Sequence, residues 1–164
     1  MSDHPQQHIK YFWEDLPVGT TLDIGSTTVD RDEVIAFASK YDPQPFHLDE
    51  AAAAKSMFGK LSASGWHTCA MAMGLMVRGF LHESSSLGSP GLEKVSWVTP
   101  VYPGDTLTLK QTILESRPMK SRPDVGLTRT LWEMFNQHGE QVLMMDGYGM
   151  FRRRTPAPAD SASK

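Results

Sequence analysis

Residues 66–82 form one helical segment that is apolar on nearly every face. Trp66, Cys69, Ala70, Met73, Val77 and Phe80 recur along one stripe, Met71, Leu75 and Met76 fill the rest, and no Asp or Glu interrupts the run. Such a helix needs cover on most of its sides. His67, Thr68 and Arg78 make the segment too polar, and its length makes it too short, to span a bilayer. The rest of the chain must therefore supply the cover. After Pro90-Gly91 the pattern changes to period two. Val95, Trp97, Thr99 and Val101 alternate, and Leu107, Leu109 and Ile113 alternate against Thr106, Thr108 and Thr112. Residues 126–135 and 141–153 read as two more strands, joined by the hairpin turn Asn136-Gln137-His138-Gly139. The most economical packing is an α+β domain in which one twisted antiparallel sheet wraps the long helix.

The first part of the chain fits around that unit. Residues 20–29 are rich in Thr and Val/Ile and read as a strand, with Gly25 placed for a bulge. Asp30 with Glu33 three residues on gives a capping box, and Val34, Ile35, Phe37 and Ala38 form a helical stripe that Pro43 stops. A short alanine-rich helix over 49–56 follows, and Ser62-Ala63-Ser64-Gly65 opens the long one. One domain over residues 11–154 is expected, with a flexible arm at 1–10 and a disordered Pro/Ala/Ser tail at 155–164. A net charge of -3 argues against nucleic acid as the main partner. The single cysteine, Cys69, excludes an intrachain disulfide and suits a reducing compartment. The polar first ten residues hold no signal core, so a cytoplasmic protein with no membrane attachment is expected. The six histidines lack metal-ligand spacing and no glycine-rich phosphate loop is present, so neither a metal nor a bound cofactor is expected.

The chemistry-bearing run is Tyr41-Asp42-Pro43-Gln44-Pro45-Phe46-His47. Pro43 and Pro45 fix their own φ, lack N–H groups and push Asp42 and Gln44 toward extended geometry. A carboxylate and an imidazole are thus set five residues apart by stiff backbone. Such a pair can share acid–base work on one water, although Asp-Pro and Gln-Pro are also ordinary turn chemistry.

The chain resembles the MaoC-like dehydratases of the hotdog fold, which include the (R)-specific enoyl-CoA hydratases. Their motif Asp-x-Asn-Pro-x-His is met by Asp42-Pro43-Gln44-Pro45-Phe46-His47, with Gln44 in place of Asn. The likeness continues in Phe58-Gly59, in Ser64-Gly65 and in Pro100-Val101-Tyr102-Pro103-Gly104-Asp105-Thr106-Leu107, and spans residues 11–154. Ser64 stands where many members carry His. The resemblance implies reversible hydration of a trans-2-enoyl thioester to an (R)-3-hydroxyacyl thioester. Asp42 and His47 would act on water, and the backbone N–H of Gly65 would stabilise the thioester oxygen. Gln44, Pro45, Phe46, Ser64, Trp66 and His67 would line the substrate. It also implies an acyl-CoA or acyl-carrier substrate, with CoA entering only as part of it, and a homodimer or higher oligomer with the site between subunits.

Two other functions compete. A hotdog thioesterase would carry an acidic residue on the central helix or an Asp-x-x-Gly-His-x-Asn run before it, and this chain has neither. A non-catalytic acyl-CoA-binding module would share the fold without turnover.

Overall fold

The computed structural model describes residues 8–156. Most of the expected arm, residues 1–7, and most of the expected tail, residues 157–164, lie outside the described residues. Strand β1 is Thr21–Thr28, helix α1 Arg31–Tyr41, helix α2 Glu50–Ala54 and helix α3 Gly65–Gly79. Strands β2 (Ser86–Gly88), β3 (Leu92–Trp97), β4 (Thr106–Pro118), β5 (Val125–Phe135) and β6 (Gln141–Arg152) follow. They make one antiparallel sheet in the order β1-β4-β5-β6, with β2 and β3 both pairing along β6. This is the α+β hotdog arrangement, a sheet curved around one central helix.

The sheet's inner face and α3 make a common core. Met71, Ala72, Leu75 and Met76 of α3 are buried with Leu107, Leu109, Ile113, Met134, Val142, Leu143, Met145 and Phe151 of the strands. Burial of each large side chain contributes about 1.5–3 kcal/mol, so these contacts fix how α3 lies on the sheet. The bulge expected at Gly25 is present: the β1–β4 register shifts between Asp23 and Gly25. Gly25 has φ +140°, and a Cβ there would lie 3.7 Å from Leu75. The bulge thus bends β1 over α3. At the other end of the helix a Cβ on Gly79 would collide with the Ile24 carbonyl, so α3 ends in close backbone contact with β1.

Three expectations need correction. The long helix stops at Gly79 rather than near His82, and a separate 3-10 turn, Leu81–Glu83, follows. Nor is it covered on most sides: Trp66, Met73 and Val77 are exposed at 60%, 46% and 42%. A single sheet can wrap only part of a cylinder. Third, residues 84–88 hold the short strand β2, while regular pairing of β3 ends at Trp97. Pro100 lacks an N–H, so the alternation through Thr99 and Val101 leaves the ladder; the Val101 carbonyl accepts from Ala63 N instead (2.8 Å). That bond ties the chain before α3 to the segment after β3.

Candidate active site

Asp42 sits where α1 ends. Asp30 caps the start of that helix by accepting from Glu33 N at 2.9 Å, and Asp42 N closes its end on Ala38 O at 2.9 Å. Pro43 then forbids continuation, and Pro45–His47 folds as a single 3-10 turn. This abrupt reversal brings His47 Nε2 to 3.5 Å from Asp42 Oδ2. His47 is 5% exposed. Its Nδ1 lies 2.7 Å from the Ser62 carbonyl, which can only accept, so Nδ1 carries the proton. In its neutral form the ring would then present the lone pair of Nε2 to a carboxylate oxygen. A water donating one hydrogen to each would satisfy both.

Asp42 is held by two further donors. Gln44 Nε2 donates to Oδ1 and Ser64 Oγ to Oδ2, each at 2.7 Å. Partial burial opposes the charge on Asp42, but the hydrogen bonds from Ser64 and Gln44 and the neighbouring His47 outweigh it and hold the carboxyl below its ordinary value.

Ser64 occupies the N-cap position of α3, yet its hydroxyl makes no cap bond, being committed to Asp42. The N–H groups of the first turn of α3 are thus left without a side-chain cap, at the positive end of the helix dipole. Gly65, the first helical residue, joins Asp42, His47, Phe58, Ser62, Ala63 and Thr68 around a cavity of about 330 Å3. Trp66, Trp97, Thr99, Pro100, Val101 and Val142 complete it. Trp66 and Trp97 pack edge to face at its mouth, with ring centroids 5.1 Å apart. Trp66 also borders a second, largely apolar cavity of about 500 Å3 between α3 and the sheet. Cys69, Met73, Met76, Phe80, Ile113 and Trp132 line that space. Burial pushes the Cys69 thiol up, partly offset by a hydrogen bond from the Trp97 side chain.

The residues singled out from the sequence thus separate into groups. Asp42, His47, Gly65 and Trp66 face the first cavity. Gln44 and Ser64 do not line it; they touch Asp42. Pro45 is exposed, and Phe46 packs against the rings of His47 and Phe58. His67 turns away to α1: its Nε2 is 3.1 Å from Glu33 Oε1 and its ring stacks on Phe37. Thr68, Trp97, Thr99 and Val142 went unnoticed in the sequence as lining residues. For Trp97 and Thr99 a signal existed, because they directly precede the Pro100-Val101 stretch; Val142 had none. Arg153 and Arg154 are engaged locally, lying over the rings of Trp13 and Phe12. Among the described residues no group of three or more His, Cys, Asp or Glu is placed to hold a metal ion. Nor, among them, is any helix long and apolar enough to cross a membrane.

Comparison with known proteins agrees with this fold. The family model of the MaoC like domain matches residues 15–133. The crystal structure of the MaoC-like dehydratase from Rhodospirillum rubrum superposes with a TM-score of 0.83 at 41% identity, covering 88% of this chain and 99% of that one. The (R)-hydratase from A. caviae involved in PHA biosynthesis gives a TM-score of 0.65 at 25% identity, over 83% of this chain and 97% of that one. The 3-hydroxybutyryl-CoA dehydratase of Methylorubrum extorquens is 28% identical over 144 residues, 85% of this chain and 86% of that protein. With a matching family model over most of its length and an Asp–His pair beside the start of its central helix, the chain belongs to the MaoC-like dehydratase family.

Proposed function

We propose that the protein is a hydro-lyase that adds water reversibly across the double bond of a trans-2-enoyl thioester, giving an (R)-3-hydroxyacyl thioester. The observation that carries this reading is the convergence of Asp42 and His47 on one cavity with Gly65 at the N-terminus of α3. Water adds to the electron-poor β-carbon only if a base takes its proton during attack. The dyad supplies two acceptors 3.5 Å apart for that water. As the O–Cβ bond forms, the π electrons move onto the thioester as an enolate. The uncapped N–H groups at the start of α3 are suited to that oxygen; one such donor typically contributes about 2.7–4 kcal/mol. The enolate then takes a proton at Cα, on the face from which water came. The apolar cavity beyond Trp66 suits an acyl chain.

The likeness to the A. caviae (R)-hydratase supports an (R) product, and that to the 3-hydroxybutyryl-CoA dehydratase supports a CoA thioester. A homodimer or larger assembly fits the exposed apolar side chains of α3, Trp66, Met73 and Val77. Light scattering at micromolar concentration should return at least twice the chain mass. The deciding test is crotonyl-CoA: loss of the enoyl-thioester absorbance, with chiral analysis of the product and a free-thiol assay beside it. Thiol release without loss of the double bond would make the protein a thioesterase instead. Binding with neither change would make it a non-catalytic module.

A further inference from the structure

Two residues that do not line the cavity are aimed at the group that does. Ser64 is fully buried and donates to Asp42 Oδ2; Gln44 is exposed and donates to Oδ1. One donor is therefore committed to each carboxylate oxygen, and hydrogen bonds made to the charged form favour it over the protonated one. His47 is fixed in the complementary way. The Ser62 carbonyl holds a proton on Nδ1, so that in the neutral ring Nε2 is the acceptor. Among the residues lining the cavity, Asp42 and His47 are the only titratable groups, so no third side chain there stands ready to share the protons.

We infer that Ser64 and Gln44 are positioning residues that keep Asp42 a carboxylate throughout the reaction, so that His47 Nε2 alone carries the proton from water to the α-carbon. This rests on the hydratase reading and divides its labour. Water donates one hydrogen to Asp42 Oδ2 and the other to Nε2. As oxygen bonds to Cβ, Nε2 takes its proton and the ring becomes an imidazolium beside the carboxylate. That N–H then protonates Cα and the ring returns to neutral. The hydrogen and the hydroxyl both arrive from one face, and no other acid is consumed. In the dehydration direction the same nitrogen removes the α-proton and gives it to the leaving hydroxyl. The depressed titration of Asp42 is consistent with this division.

The test uses the full chain with Ser64→Ala, Ser64→Thr and Gln44→Ala. Since Gln44 is exposed, its variant should fold even if Ser64→Ala does not. With crotonyl-CoA, Ser64→Ala and Gln44→Ala should each lower kcat by about 10- to 100-fold, as expected for a lost hydrogen bond to a charged group, with little change in KM. Ser64→Thr should recover most of the loss. The kcat/KM of the unaltered protein should rise with pH through one ionisation and then stay level, without the alkaline fall that an obligatory carboxylic acid would impose. Independently of turnover, 15N NMR should find the Nδ1–H tautomer of His47. 13C NMR should show the Asp42 carboxyl titrating at higher pH in both alanine variants than in the unaltered protein. An Nε2–H tautomer, a protonated Asp42 at neutral pH, or alanine variants unchanged in both kcat and carboxyl titration would overturn the assignment. Absence of turnover by the unaltered protein would overturn the hydratase reading itself, and the NMR measurements would then decide the protonation states alone.

Discussion

The indole of Trp97 lies against Gly65 so closely that a Cβ on Gly65 would sit 2.6 Å from two of its ring atoms. The first residue of α3 must therefore be glycine for the Trp97 ring to stay where it is. Trp97 is 47% exposed, so the ring rather than the helix would yield to a methyl group. Gly65→Ala should lower hydration at least tenfold by displacing the ring at the cavity mouth. Adding Trp97→Ala should restore part of that loss, because the steric cause is gone. Steady-state rates for the two single variants and the double variant measure this coupling. Strictly additive losses would place the effect of Gly65 elsewhere.

Asp42 and His47 should be needed for turnover and not for folding. Asp42→Asn and His47→Ala should each reduce crotonyl-CoA hydration by two to four orders of magnitude, on the order of what a positioned acid–base group contributes. Both are cavity-facing, so far-ultraviolet circular dichroism should be unchanged and the melting temperature should shift by only a few degrees. A variant that keeps its activity would move the chemistry to another group.

Asp105 should matter for stability instead. It is nearly buried, and its carboxylate accepts from Tyr102 N at 2.9 Å and from Gln137 Nε2 at 3.0 Å. These bonds tie the turn before β4 to the β5–β6 hairpin, and the Tyr102 hydroxyl in turn donates to Phe58 O at 3.0 Å. Asp105→Ala removes the acceptor of the Tyr102 N–H and the link to Gln137, and should destabilise the fold by about 1–3 kcal/mol in urea unfolding. Loss of activity at temperatures where the variant remains fully folded would contradict a purely structural role.

Stability should fall in acid partly through Asp146. Arg129 Nε and Nη2 pair with its two oxygens at 2.8 and 2.7 Å, and this hydrogen bonding holds the carboxyl below its ordinary value. A carboxyl lowered on folding stabilises the fold above the unfolded value of about 3.9, and this is lost as pH falls through the lower folded value. Asp146→Asn should therefore melt earlier than the unaltered protein at pH 7. Once the pH has fallen below the lowered folded value the two should converge. A constant difference in melting temperature across that range would show that packing, not charge, sets the effect.

Much of this protein was written in local pattern. Pro43 and Pro45 between Asp42 and His47, the apolar run of α3 and the period-two segments after Gly91 depend on neighbours along the chain, and backbone sterics and side-chain periodicity act at that range. They determined the sheet-and-helix class, the place of the dyad and the start of the central helix at Gly65. What the tertiary structure alone decided was the direction of side chains whose partners are far away in sequence. Ser64 meets Asp42 across 22 residues and His47 meets the Ser62 carbonyl across 15, so neither bond has a local signature. His67, two positions beyond Gly65, was a candidate for the cavity, but a helix turns about 100° per residue, and that rotation sends its ring to Glu33 and Phe37. Trp97 reaches Gly65 only because β3 pairs with β6 beside the start of α3. Long-range pairing, not composition or period, chose which residues share the cavity.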